Sequence, residues 1–147
     1  METLSNKKMQ SLSNTTSVPV RFSEVDALGI VWHGHYLKFF EDGREAFGRQ
    51  YELGYLDVYK NNFAIPLVKI NVDFKKTVKY GDQVKIITTF IPSAAAKIIF
   101  NYEIYRESDG ELVATGESVQ VFMNLEHELF IIVPEFFENW KKKNLMC

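Results

Sequence analysis

Apolar and polar positions alternate near the start of the chain. Val18, Val20 and Phe22 are separated by Pro19, Arg21 and Ser23, the two-residue period of a half-buried strand. Pro19 has no N–H to donate, which confines that strand to a sheet edge or to the strand's beginning. The period then lengthens. Tyr36, Phe40, Gly43, Phe47 and Tyr51 recur at steps of three or four and predict a helix from about His35 to Leu53. Leu37, Phe39, Ala46 and Leu53 widen its apolar face, so the helix should be covered on most sides. Gly43 and Gly48 each cost about 1 kcal/mol inside a helix, which predicts that a neighbour approaches closely at both.

After Gly54 the pattern becomes that of strands. Ile65–Val78, Gln83–Ile91, Lys97–Tyr105, Leu112–Met123 and a shorter Leu129–Val133 are rich in Val, Ile, Thr, Phe and Tyr. Tyr80-Gly81-Asp82 and Ser108-Asp109-Gly110 carry turn chemistry, the second joining two long strands as a hairpin. Pro134 to Asn144 predicts a closing helix with proline near its start. One strand, one long covered helix and about five more strands joined by hairpins make an α+β domain. Residues 18–147 are expected to form that single domain, and the polar residues 1–17 a disordered N-terminal tail.

Composition narrows the classes. With 147 residues and 46% hydrophobic content the chain can bury a sizeable core. A net charge of −2 argues against a nucleic-acid partner. The run Lys141-Lys142-Lys143 fits a solvated helix end that complements the dipole. Cys147 is the only cysteine, so no disulfide framework or zinc cluster is expected, and a reducing, cytoplasmic setting fits. No stretch approaches the roughly 18 apolar residues of a membrane span.

Candidate chemistry concentrates between the first strand and the helix. Asp26 stands just before a glycine-marked bend at Gly29, and the chain then passes His33, Gly34 and His35 into the helix. A helix start offers unpaired N–H groups and partial positive charge to a developing oxyanion, and a nearby carboxylate can attack a carbonyl or activate water. The bland alternative for Asp26 is an Asx turn leading into the helix. Glu24, Asp26, His33 and His35 are metal-ligating types, but i and i+2 diverge where the chain turns helical, so no metal site is expected. Glu24 is expected to be solvated or ion-paired, with Arg21 or Arg44 as the partner.

The block Phe22-Ser23-Glu24-Val25-Asp26-Ala27-Leu28-Gly29-Ile30-Val31-Trp32-His33, with Tyr36-Leu37-Lys38-Phe39-Phe40-Glu41 and Tyr80-Gly81-Asp82, resembles the hotdog-fold acyl-CoA thioesterases of the 4-hydroxybenzoyl-CoA thioesterase type. The resemblance runs from about Val18 to Met123. It implies a central helix wrapped by an antiparallel sheet of five or six strands, a homodimer with its sheets side by side, and a dimer of dimers. It further implies thioester hydrolysis at the subunit interface with Asp26 as the carboxylate and the backbone N–H of His33 polarising the carbonyl. Gly29, Val31, Trp32 and Tyr36 would line the substrate. A thioester has a good leaving group, so no cofactor is needed beyond the coenzyme A of the substrate.

One segment departs from the family. A cationic residue is frequent there just before the strand at Lys97, where this chain has Ser93-Ala94-Ala95-Ala96. Lys69 and Lys97 are left as candidates for the phosphates, and an acyl-carrier-protein thioester becomes a comparable substrate. The departure also keeps open a non-catalytic acyl-thioester binder, and the His33–His35 pair keeps open a hydratase or dehydratase on the same fold.

Overall fold

The computed structural model describes residues 12–145. Its strands are β1 (Leu12–Pro19), β2 (Phe63–Ala64), β3 (Leu67–Phe74), β4 (Gln83–Ile91), β5 (Lys97–Arg106), β6 (Leu112–Asn124) and β7 (Leu129–Phe130). Three α-helices accompany them: α1 (Tyr36–Tyr51), α2 (Tyr55–Lys60) and α3 (Glu135–Leu145). The strands form one antiparallel seven-stranded sheet in the order β1-β4-β5-β6-β2, with β3 and β7 also paired to β6. This is the α+β hotdog arrangement, with α1 wrapped by the sheet.

The strand periodicity explains which side is wrapped. Val84, Ile86 and Phe90 of β4, Ile98, Phe100, Tyr102 and Ile104 of β5, and Ala114 and Phe122 of β6 are buried at every second position. They meet Phe39, Phe40, Ala46 and Phe47 of α1, and the Phe40 ring stacks on Tyr102 at 4.3 Å between centroids. Burying a Phe or Ile side chain is worth about 1.5–3 kcal/mol, so this two-layer core dominates the stability. Both predicted close approaches occur. A Cβ on Gly43 would fall 2.2 Å from Thr88 Oγ1, and one on Gly48 would fall 2.7 Å from the Gly54 Cα.

Several boundaries differ from the sequence expectation. The expected disordered tail is corrected for its last six residues. From Leu12 the chain already forms β1, in register from Leu12 opposite Phe90 to Pro19 opposite Gln83. Its composition is polar because only one face meets the core. Tyr51 Oη donates to Ser13 O at 2.8 Å and Asn14 Nδ2 to Gln50 Oε1 at 2.7 Å, so pairing and helix contacts hold it where apolar content is low. Residues 1–11 of that expectation, and Cys147, lie outside the described residues. β1 is the sheet edge that Pro19 required.

The helix ends at Tyr51, two residues early, because Glu52 takes a left-handed conformation at φ +60°. The strand expected over Ile65–Val78 is shorter, β3 over Leu67–Phe74, and Pro66, which cannot donate to a ladder, separates it from the preceding β2. The short α2 carried no amphipathic signal, since Val58 is its only buried residue. It is held by the Asp57 carboxylate, which accepts the Gly54 N–H at 2.7 Å. The closing helix caps one end of the core through Phe137, Trp140 and Leu145, and Trp140 Nε1 donates to Tyr51 O at 2.7 Å. Lys141, expected to be solvated, is buried there. It donates to Ser93 O at 3.2 Å and pairs with Glu138 at 3.7 Å.

Candidate active site

The segment after β1 folds in three short steps. Val20 is buried, but Phe22 is 75% exposed, because Phe22–Glu24 turn into a 3-10 helix and break the alternation that predicted it inward. Glu24 is buried and caps that turn: its Oε1 accepts the Arg21 N–H at 2.7 Å and its Oε2 meets Lys38 Nζ at 3.3 Å. Neither the Arg21 side chain nor Arg44 pairs with it, which corrects the expected partner.

Next comes a tight hairpin. Val25 bridges Val31, Asp26 N–H donates to Ile30 O at 2.8 Å, and Gly29 N–H donates to Asp26 O at 2.9 Å. Gly29 sits at φ +82°, the left-handed position that closes such a turn and that glycine reaches without strain. Asp26 Oδ1 accepts the Leu28 N–H at 2.8 Å, so the Asx turn is real, and the carboxylate is exposed and oriented by it. The two readings of Asp26 are compatible, because one oxygen fixes the turn and no described residue engages Oδ2.

The hairpin is tied to the connection between β3 and β4 by Val31 N–H to Val78 O at 2.7 Å, and it delivers the chain directly to the helix start. His33–His35 form a 3-10 turn in which His35 N–H donates to Trp32 O at 2.9 Å and Tyr36 N–H to His33 O. By the geometry of a helix start, the N–H groups of His33 and Gly34 come before those bonds and are available to a ligand. The half-exposed Trp32 indole lies over this turn, against His33 at 4.8 Å and His35 at 5.7 Å. A Cβ on Gly34 would sit 2.2 Å from the indole, so glycine is what lets Trp32 cover the backbone.

Asp26, Gly29, Trp32 and His33 therefore share one surface segment. Val31 and Tyr36 are buried beneath it at 5% and 3% exposure, with the Tyr36 ring edge-on to Phe74 at 5.0 Å. Burial raises the Tyr36 hydroxyl pKa above its usual value, and Arg106 offsets part of the rise. Lys69 and Lys97 are exposed opposite Val119 and Val121, the β6 positions that point away from α1. Among the described residues no group of three or more His, Cys, Asp or Glu is placed to hold a metal. No helix there is long and apolar enough to cross a membrane.

A cavity stands apart from this segment. An open groove of about 700 Å³ runs along α1 from Glu41 past Arg44 to Gly48, with Ile65, Ile98 and Phe100 among its lining. Asp26 is not part of it. Arg44 could have been noticed, since it lies four residues from Phe40 and three from Phe47, at the margin of the buried face.

Charge also gathers on the first turns of α1. Asp42 has its carboxyl pKa raised, first by burial and then by Glu24, Glu45 and Glu41, against a lowering by Lys38. A carboxyl whose folded pKa exceeds its unfolded one binds more protons when folded, so it costs stability as pH rises through the carboxylate range. Asp42→Asn should therefore raise the melting temperature at neutral pH and leave it unchanged below that range. Screening at this half-exposed site keeps the gain to about 0.5 kcal/mol or less. Thermal melts at the two pH values check this, and a gain of the same size in acid would contradict it.

Residues 20–141 match the thioesterase-like superfamily. A Bacillus subtilis (strain 168) protein, YneP, named as a candidate acyl-CoA thioesterase, is 31% identical over 123 residues, covering 84% of this chain and 88% of its own length. The Staphylococcus aureus DHNA-CoA thioesterase structure superposes with a TM-score of 0.79 at 26% identity, covering 87% of this chain and 85% of that one. Slr0204 of Synechocystis, a 1,4-dihydroxy-2-naphthoyl-CoA thioesterase, superposes with a TM-score of 0.78 at 21% identity, covering 90% and 96%.

Proposed function

Since this chain belongs to the thioesterase-like superfamily and is a thioester hydrolase, we propose that it hydrolyses acyl-CoA thioesters with Asp26 as the essential carboxylate. The observation that carries this is the exposed Asp26 carboxylate, held by the Leu28 N–H on a hairpin that runs straight into the start of α1. The thioester oxygen is polarised by the N–H groups of His33 and Gly34, whose partial positive charge stabilises it as it becomes an oxyanion. Asp26 either attacks the carbonyl carbon or takes a proton from the water that does. In the first route the thiolate leaves as a mixed anhydride forms on Asp26, and water then cleaves that anhydride to free the carboxylic acid and restore Asp26. In the second the water oxygen bonds to the carbonyl carbon, the carbon–sulfur bond breaks and the thiolate leaves as a thiol with the proton Asp26 took. No cofactor is called on. Removing one oxyanion donor typically costs about 10²–10³ in rate, so helix start and carboxylate suffice for an electrophile this reactive.

Exposed apolar side chains flank Asp26 along the chain, Phe22, Leu28 and Trp32, with Leu28 at 83% exposure, and the Phe22 ring meets the exposed Tyr80 at 5.7 Å. Such a cluster beside a polar reacting group suits a surface that a second copy covers. The unpaired edge of β3, with Leu67 and Val68 exposed, supplies the adjoining contact. We therefore assign a homodimer whose interface completes the site. The apolar outer face of the sheet at Ile87, Ile99, Val119 and Val121 serves a dimer of dimers. Light scattering on the purified protein checks this, and the mass of one chain would overturn it.

Lys69 and Lys97 are exposed cations available to coenzyme A phosphates, and they could equally meet the phosphopantetheine of an acyl-carrier protein. The single cysteine, Cys147, suits a cytoplasmic enzyme. The deciding experiment is thiol release by the purified protein from short, long and aromatic acyl-CoAs. Binding of these thioesters without turnover would favour the non-catalytic reading.

A further inference from the structure

We infer that Arg44 recognises a carboxylate at the far end of the acyl group, so that the preferred substrates are ω-carboxyacyl thioesters. The inference rests on the hydrolysis proposed above. Arg44 projects from α1 beside the groove, and its Nη1 donates to the Tyr102 hydroxyl at 3.0 Å. Tyr102 is fully buried and its oxygen lies 2.6 Å from Ser118 Oγ, also fully buried. The Tyr102 oxygen accepts from Arg44, and either hydroxyl of the Tyr102–Ser118 pair can donate to the other. The guanidinium is thus fixed by a neutral pair of hydroxyls.

Among the described residues Arg44 makes no ion pair. Glu24 is taken by Lys38 at 3.3 Å, Glu45 faces Arg49 at 3.9 Å, and the Asp57 carboxylate caps α2. Glu41, one turn earlier on the same groove, is exposed. A half-buried arginine serving only to hold the fold is normally satisfied by a carboxylate, because an uncompensated buried charge is costly. Arg44 keeps four of its five N–H donors, and it stands in the wall of a cavity of about 700 Å³ floored by Ile98 and Phe100. A planar fork above an apolar floor fits an aliphatic chain that ends in a carboxylate, which it can bind through two parallel bonds. The separation is also suitable. Arg44 lies eight residues beyond Tyr36, about 12 Å along the helix from the turn that holds the thioester oxygen.

Two measurements test this. Thiol release is compared for adipoyl-, suberoyl- and sebacoyl-CoA against hexanoyl-, octanoyl- and decanoyl-CoA. Calorimetry follows the binding of free suberate and octanoate. The wild-type protein is expected to favour the acid-ended member of at least one pair by about tenfold or more in kcat/KM, mainly through KM. Arg44→Met should abolish that preference and suberate binding while leaving the neutral thioesters within a few-fold. Arg44→Lys should keep part of the preference, since it retains the charge without the fork. Tyr102→Phe, which frees the guanidinium without removing it, should weaken the preference and serves if Arg44→Met does not fold. The inference is overturned if no pair favours the acid, if Arg44→Met slows both members equally, or if suberate shows no saturable binding. Suberate binding through Arg44 without turnover of any thioester would sink the hydrolysis and leave the carboxylate site standing.

Discussion

Asp26→Asn is expected to lower kcat for acyl-CoA hydrolysis by about 10²–10⁴-fold, the range that a positioned acid–base or nucleophilic group supplies. The substitution isolates charge from structure. Asn retains an oxygen at the Oδ1 position, so the Leu28 N–H, 2.8 Å from that oxygen in the native chain, keeps its acceptor and the hairpin keeps its shape. Gly29 stays at φ +82° and the helix start is undisturbed. The melting temperature should therefore match the wild type within a degree or so, and KM should change little, because the thioester oxygen is still met by the helix start. Asp26→Ala provides the contrast, since it removes the turn's acceptor as well and should lose both activity and some stability. An Asn variant with near-normal thiol release would end the assignment of Asp26. Lost activity together with lost folding would leave the Asx turn as its sufficient role.

Phe47→Ala should cost about 3–5 kcal/mol of stability, among the largest single losses a side-chain truncation can produce here. Phe47 has no exposed surface, and its ring meets Tyr51 at 4.6 Å, Phe100 at 4.9 Å, Phe90 at 6.2 Å and Trp140 at 6.4 Å. It is where α1, two central strands and the closing helix come together. Truncation opens a void that a seven-stranded sheet can close only by shifting α1. For a domain of this size the melting temperature should fall by roughly 10 °C or more. Phe47→Leu, which refills most of the volume, should lose about 1 kcal/mol. Denaturant titrations of both variants measure this, and an Ala variant within 1 kcal/mol of wild type would contradict the packing described.

Local pattern carried much of the architecture. The change of period from two to three or four at Tyr36 marks α1, and the turn residues at Gly81 and Gly110 fall where φ is +94° and +73°. Gly43 and Gly48 announced contacts that their missing side chains permit. Asp26 and Gly29 were legible for the same reason. A carboxylate three residues before a glycine encodes its own turn, and the following residues encode the helix start, so the candidate site is assembled almost wholly from one continuous segment.

What the chain alone determined, then, is whatever depends on neighbours a few residues apart: strand and helix periods, the edge position forced by Pro19, the Asp26 hairpin and its delivery to α1. Tertiary structure decided the rest. Leu12–Ser17 became a strand because β4 offered an unpaired edge, although every residue after Leu12 in it is polar. Lys141 was buried because the Ser93 carbonyl lay above it, and Glu24 chose Lys38 over the arginines. Arg44 acquired its setting only when β5 and β6 brought Tyr102 and Ser118 beneath the helix, 58 and 16 residues apart along the chain. Such partners meet through sheet register, and register is fixed by the summed packing of a whole face, which no short window of sequence contains.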